Sequence, residues 1–268
     1  FSTLLMAGIL GVFFIADGKS DSYYSRFTTS LQHSLIIGTS RAAQGLQPSV
    51  FNEVLYKDKT HHFFNYSFSL IDSPFGPAYY ESIKRKLNPN VRDGIFIIAV
   101  DPWALSSTNE DPNDSLHFME NKRFIGKTKY VDINPNIPYL VESYAEPYIN
   151  IIRKWRGFAD LYVHKDGWLE VVVSMDSKAV AERLENKIKD YRANFLPRYK
   201  FSSVRQDYLV KTISFLQNCG NVYLVRLPVQ QSILDIENEL MPDFDEKINN
   251  IAGKLDVEYL NFKLMENK

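Results

Sequence analysis

Cysteine is almost absent. Cys219 is the single one among 268 residues, which excludes an intrachain disulfide and a cysteine-held metal cluster. It ends an apolar helical pattern and reads as a small buried hydrophobe. An excess of charge of one sign is also lacking: 31 Lys and Arg stand against 32 Asp and Glu, a formal net charge of −1. A nucleic-acid partner would need a basic face, so none is expected. There is no internal repeat and no low-complexity tract. The first strand-to-helix turn lacks the glycines that cradle a phosphate, which argues against a flavodoxin-like cofactor protein, and no cofactor is expected. What the chain does have is apolar and aromatic material, 45% hydrophobic residues with 18 Phe, 16 Tyr and 3 Trp. That is enough to bury the core of one large domain or two small ones.

Residues 1–16 (FSTLLMAGILGVFFIA) carry no charge. The run falls short of the roughly 20 residues that span a bilayer, but residues ahead of Phe1 would supply the remainder. The expectation is part of a transmembrane anchor or an uncleaved signal segment, with 17–33 as a polar connector. The alternative is a buried core helix. An anchor would make this a single-pass inner-membrane protein with an extracytoplasmic (periplasmic) globular part.

From Ser34 a β–α alternation begins. Strands are expected at Ser34–Gly38, Phe63–Tyr66, Gly94–Val100, Asn221–Leu227 and Asp256–Leu260. The run IFIIAV is apolar on both faces, as in a parallel sheet covered by helices on both sides. Helices are expected at Pro77–Leu87, 177–196, 203–218 and 231–252, the last bent or split at Pro242. Roughly 120 residues separate the third and fourth strands, far more than a crossover needs. About 107–200 therefore reads as an insertion beside the sheet's active edge, with a helix over 138–155 interrupted by Pro147. A hairpin turning at Lys165-Asp166-Gly167 follows it.

The densest information lies in residues 34–45 (SLIIGTSRAAQG). An apolar strand ends at Gly38-Thr39-Ser40-Arg41 and runs into small, helix-compatible residues. Open α/β sheets bind ligands at the carboxyl ends of their strands. A serine at that bend is placed to act as a nucleophile near backbone N–H groups. An ordinary turn capped by Ser or Thr has the same appearance.

Four segments in this order, LIIGTSRAAQGLQPSVF, FFNYSFSLIDSPFGPAYYESIKRKL, IFIIAVDPW and NVYLVRLPV, resemble the SGNH/GDSL hydrolase superfamily, in particular its membrane-anchored branch that modifies bacterial cell envelopes. The resemblance covers roughly residues 31–105 and 203–262. It implies an α/β fold, a doubly wound and mostly parallel five-stranded sheet of the flavodoxin-like SGNH type, over 34–268 with an inserted α+β cap. It makes Ser40 the nucleophile. Arg41 stands where that branch often carries Arg, His or Trp. In the second block Asn65 matches the family asparagine, while the glycine positions hold other residues, leaving a backbone N–H near Ser69-Leu70 for the oxyanion. In the third block Asp101 occupies the place of an oxyanion-binding asparagine, and an ionised carboxylate has no proton to donate. The family's Asp-x-x-His after the last strand is not found here. Either the chain continues beyond Lys268 or the base is lacking, and continuation is the expectation.

Arg41, Ser69 and Trp103 are expected to line the substrate site. The pair His61-His62 points to opposite faces of an extended segment and cannot easily share one ion. The loop holding Asp111, Asp114, Glu120 and Asp132 lacks the spacing of a calcium loop. No metal site is assigned. The resulting expectation is a serine esterase or O-acyltransferase acting on envelope polysaccharide or acylated polymer, beside a partner such as a membrane-bound O-acyltransferase. The alternative is an inactive SGNH-fold scaffold subunit of an envelope complex.

Overall fold

The computed structural model describes residues 2–17, 21, 23–56, 62–144, 149, 151–152 and 160–263. Five short apolar runs pair in parallel: β1 (Ser34–Ile37), β2 (Phe63–Asn65), β3 (Gly94–Ala99), β8 (Gly220–Arg226) and β9 (Glu258–Asn261), in the order β2-β1-β3-β8-β9. Leu35 lies opposite Phe96, and Phe96 opposite Val222. Because side chains alternate along a strand, Phe96 and Ile98 face one layer while Ile95, Ile97 and Ala99 face the other.

Helices cover both faces. On the first lie α4 (Pro77–Lys86), α8 (Ser203–Gln217) and α10 (Phe244–Leu255), contributing Tyr79, Ile83, Leu209, Ile213, Phe244 and Ile248 to the larger core. On the second lie α2 (Ser40–Gly45) and α3 (Pro48–Leu55), packed over Ile36, Phe63 and Ile97. Beyond α3 that face stays open over β8 and β9 as an apolar groove of about 450 Å3. The chain is thus an α/β protein with a parallel central sheet, whose order is that of doubly wound flavodoxin-like sheets. The helical pattern over 231–252 resolves into α9 (Gln231–Leu240) and α10, broken at Pro242, whose ring cannot continue a helix.

The N-terminal expectation is corrected. The first helix, α1 (Ser2–Phe13), has 12 residues, about 18 Å at 1.5 Å per residue against a hydrocarbon core of about 30 Å. No helix among the described residues is long and apolar enough to cross a membrane. Phe13 is instead buried in the larger core with Tyr24 and Phe27. The structure therefore gives no support to a single-pass inner-membrane placement. Residues 17–33 also do more than connect, since Tyr24, Arg26 and Phe27 form a buried 3-10 turn.

Between β3 and β8 the chain leaves the sheet through β4 (Ser106–Ser107) and returns through β7 (Lys200–Phe201), which pair antiparallel as a neck. The excursion holds α5 (Phe124–Lys127), α6 (Ile137–Glu142), the hairpin β5 (Leu161–Val163) to β6 (Leu169–Val171), and α7 (Ser177–Asp190), which runs into a π-turn at Tyr191–Phe195. Pro147 and Trp155 lie outside the described residues. The hairpin tip docks on the edge of the sheet. Asn65 N–H donates to Asp166 O at 2.8 Å, and the buried Arg26 donates to Asn65 O at 3.2 Å and to Gly167 O at 2.8 Å.

Candidate functional site

The bend after β1 depends on Gly38. Its φ is +157°, and a Cβ there would fall 2.8 Å from that of Ala42 and 2.9 Å from that of Ala99. Thr39 follows, buried, and its hydroxyl donates to Asp101 Oδ2 at 2.9 Å. Asp101 stands at the end of β3, where its Oδ1 accepts the Ala104 N–H at 2.9 Å and caps the 3-10 turn Pro102–Leu105. The tips of neighbouring strands β1 and β3 are thereby tied together, and half-buried Ser40 opens α2 beside that tie. With six residues α2 supplies little dipole, so position at the strand tip is what recommends Ser40.

A chain of ion pairs runs along the same rim. Arg41 Nη2 lies 2.5 Å from Glu237 Oε1. Glu237, 1% exposed, also accepts from Trp103 Nε1 at 3.1 Å and from Arg226 Nη2 at 3.2 Å. Arg226 Nη1 continues to Asp245 Oδ1 at 2.6 Å, and Asp245 further accepts from the Tyr259 hydroxyl at 2.8 Å and from Lys263. Burial works against the Arg41 cation, but Glu237 and Asp101 outweigh it and raise its pKa. Burial likewise works against the Asp245 carboxylate, and its hydrogen bonds from Lys263, Arg226 and Tyr259 win and lower its pKa.

The other sequence-predicted residues have structural partners. Asn65 is fully buried. Both its amide hydrogens are committed, to Ala42 O and Leu46 O at 2.8 Å each, while its Oδ1 accepts Ser67 N–H at 3.1 Å. It braces the far end of α2 and offers no free donor to an oxyanion. Trp103 lies under the insertion, 1% exposed, with the rings of Tyr191, Phe195 and Tyr199 at 5.1, 5.9 and 5.5 Å. Ser69 donates to Asp72 Oδ2 at 2.5 Å, and Asp72 pairs with Arg123.

A pocket of about 220 Å3 opens between the Leu70–Pro74 loop, the Ser106–Asn109 segment and the insertion. None of the six sequence-predicted site residues lines it. Reading residue by residue missed Glu237, Arg226 and Asp245, because each sits in a helix or strand with no local mark of its partner. The histidines are engaged elsewhere: His33 with Asp93 and Ser34, His117 with Asp114, His164 with Glu170. His62 is exposed and His61 lies outside the described residues. Among the described residues no group of three or more His, Cys, Asp or Glu could hold a metal ion.

Comparison with protein-family models, curated proteins and solved structures finds no match.

Proposed function

We propose that the chain is a serine esterase or O-acyltransferase of the SGNH type acting on an acylated carbohydrate polymer, with Ser40 as nucleophile. One observation carries this reading: Ser40 follows the bend at the carboxyl end of β1, tied through Thr39 and Asp101 to the end of β3. That is the edge at which ligands of such sheets are held. In this mechanism a general base takes the Ser40 proton as Oγ attacks the acyl carbonyl; the ester C–O bond then breaks, the alcohol leaves with that proton, and an acyl-enzyme remains. Water or a sugar hydroxyl then takes the acyl group. Because the side chains of Asn65 and Asp101 are engaged, the oxyanion is left to backbone N–H groups of Ser40 and of the Ser69-Leu70 turn.

The test is turnover of an acetyl ester and of an acylated polysaccharide by the wild type and by Ser40→Ala. Loss of turnover by about a thousandfold or more supports the assignment, and unchanged turnover removes Ser40 from the chemistry. A second reading, a non-catalytic polymer-binding subunit, is favoured by the engagement of Asn65 and Asp101. It predicts polymer binding without turnover, equal in both proteins.

A further inference from the structure

The 220 Å3 pocket is large enough for about seven water volumes at roughly 30 Å3 each, the size of one sugar or one aromatic ring with its substituents. One wall is apolar: Leu70, Ile71 and the rings of Phe195 and Tyr199, which stack with 1° between their planes and 5.4 Å between centroids. The other wall carries two guanidinium groups. Arg198 is exposed, while the Arg205 side chain is 4% exposed.

Arg205 has spent its terminal nitrogens. Nη1 donates to Glu120 Oε1 at 2.7 Å and to Phe75 O at 3.2 Å, and Nη2 to Glu120 Oε2 at 3.2 Å. Its buried Nε finds no acceptor among the described residues. Glu120 balances Arg205, so Arg198 sets the sign of the pocket. Both arginines act on Tyr199: burial raises the pKa of that phenol, and Arg205 and Arg198 pull it back down. With Arg205 paired to Glu120, the cation left to meet a ligand is Arg198.

We propose that this pocket binds a carboxylate carried on a ring-sized body, the carboxylate meeting Arg198 and the body lying against Leu70, Phe195 and Tyr199. A planar guanidinium is the matching donor for a carboxylate. The site is separate from Ser40 and does not depend on Ser40 being a nucleophile. The carboxylate can come from an acidic sugar unit or from an aromatic acid, and the test separates the two.

Calorimetric titration of the whole chain with glucuronate, benzoate and uncharged glucose reads the site. At least one acid is expected to bind saturably, more weakly at high salt, with glucose not binding. Arg198→Gln, at an exposed position, is expected to weaken that acid by about tenfold or more, the loss of one charge-assisted contact. Ser40→Ala is expected to bind as the wild type does. Preference for glucuronate identifies an acidic sugar, and preference for benzoate an aromatic acid. The proposal is overturned if neither acid binds, if glucose binds as tightly as the acids, or if Arg198→Gln leaves the affinity unchanged.

Discussion

Arg41 and Glu237 meet at 2.5 Å across the carboxyl rim of the sheet. The contact joins the first turn of α2 to the helix that follows β8, so the residue beside Ser40 is held by a segment far along the chain. One ion pair and two hydrogen bonds converge on the one buried carboxylate, from Arg41, Arg226 and the Trp103 indole respectively. The rim is an electrostatic arch with Glu237 as its central stone.

Removing that carboxylate leaves two guanidinium groups and an indole N–H short of an acceptor. Glu237→Ala is therefore expected to destabilise the fold by about 3–5 kcal/mol, the range for breaking a buried ion pair from one side. Glu237→Gln keeps one acceptor oxygen and is expected to cost clearly less. Urea unfolding followed by tryptophan fluorescence measures both. A loss below about 1 kcal/mol for the alanine variant would show that the arch carries no load.

Asp101 yields a prediction of opposite character. Asparagine can keep the Ala104 N–H on its carbonyl oxygen and face the Thr39 hydroxyl with its amide. Asp101→Asn is thus expected to cost only about 1 kcal/mol. It also places an N–H donor at the strand tip. If Ser40 performs acyl transfer, kcat/KM on an acetyl ester should rise severalfold, since one oxyanion donor contributes up to about a hundredfold or more when well placed. A fall in kcat/KM with the fold intact would instead show that the carboxylate itself takes part.

Local pattern reveals what local physics determines. The β3 run IFIIAV reads as a doubly covered strand because every residue is apolar, and it forms one. Pro242 predicts the break between α9 and α10, because a proline removes the donor on which the next turn depends. The N-terminal run misleads, since its composition does not tell a membrane helix from one of 12 residues whose end, Phe13, joins the core that also holds Tyr24 and Phe27. Ser40 at the bend could be read from the sequence. Asn65 could be matched by position, but its task could not, because the carbonyls it binds belong to α2 and to Leu46 just past its end. The arch from Arg41 to Asp245 is assembled by topology from segments far apart in the chain and has no sequence signature.

Lys86 sets a pH dependence. It is buried, with Nζ donating to Thr29 O, Thr29 Oγ1 and Val131 O at 2.6, 2.8 and 2.7 Å. Burial pushes its pKa down to about 7, with Asp132 opposing. Between about pH 7 and the ordinary lysine value near 10.5, the unfolded chain holds a proton that the folded chain has released. Stability should therefore rise with pH across that window, by up to a few kcal/mol, and be flat in this respect below it. Above about pH 10 the buried phenols of Tyr66 and Tyr79, whose pKa values burial raises, pull the other way, because the unfolded chain then ionises first. Lys86→Met should flatten the rise between pH 7 and 9.5. Urea midpoints across that range decide it, and equal slopes in the two proteins would refute the assignment.

Gly167 tests how tightly the insertion is fastened to the sheet. Its φ is +83°, and an added Cβ would lie 2.2 Å from Asn65 O, the same carbonyl that accepts from Arg26. Alanine there meets a backbone conformation costing about 1 kcal/mol and a contact with main chain that cannot swing aside. Gly167→Ala should therefore push the hairpin tip off β2, weakening the Asn65 N–H to Asp166 bond and both Arg26 contacts, for a total of about 2–4 kcal/mol. Thermal unfolding gives the size, and hydrogen exchange gives the place: the Asn65 amide should exchange much faster while amides of β3 and β8 slow or speed only with global stability. A uniform change in exchange would mean that the tip and the sheet open as one unit. Faster exchange confined to Asn65 and the hairpin would mean that the insertion detaches first. Because the Asn65 side chain also braces the end of α2, that local opening should, if Ser40 performs acyl transfer, lower turnover without any substitution at the strand tips.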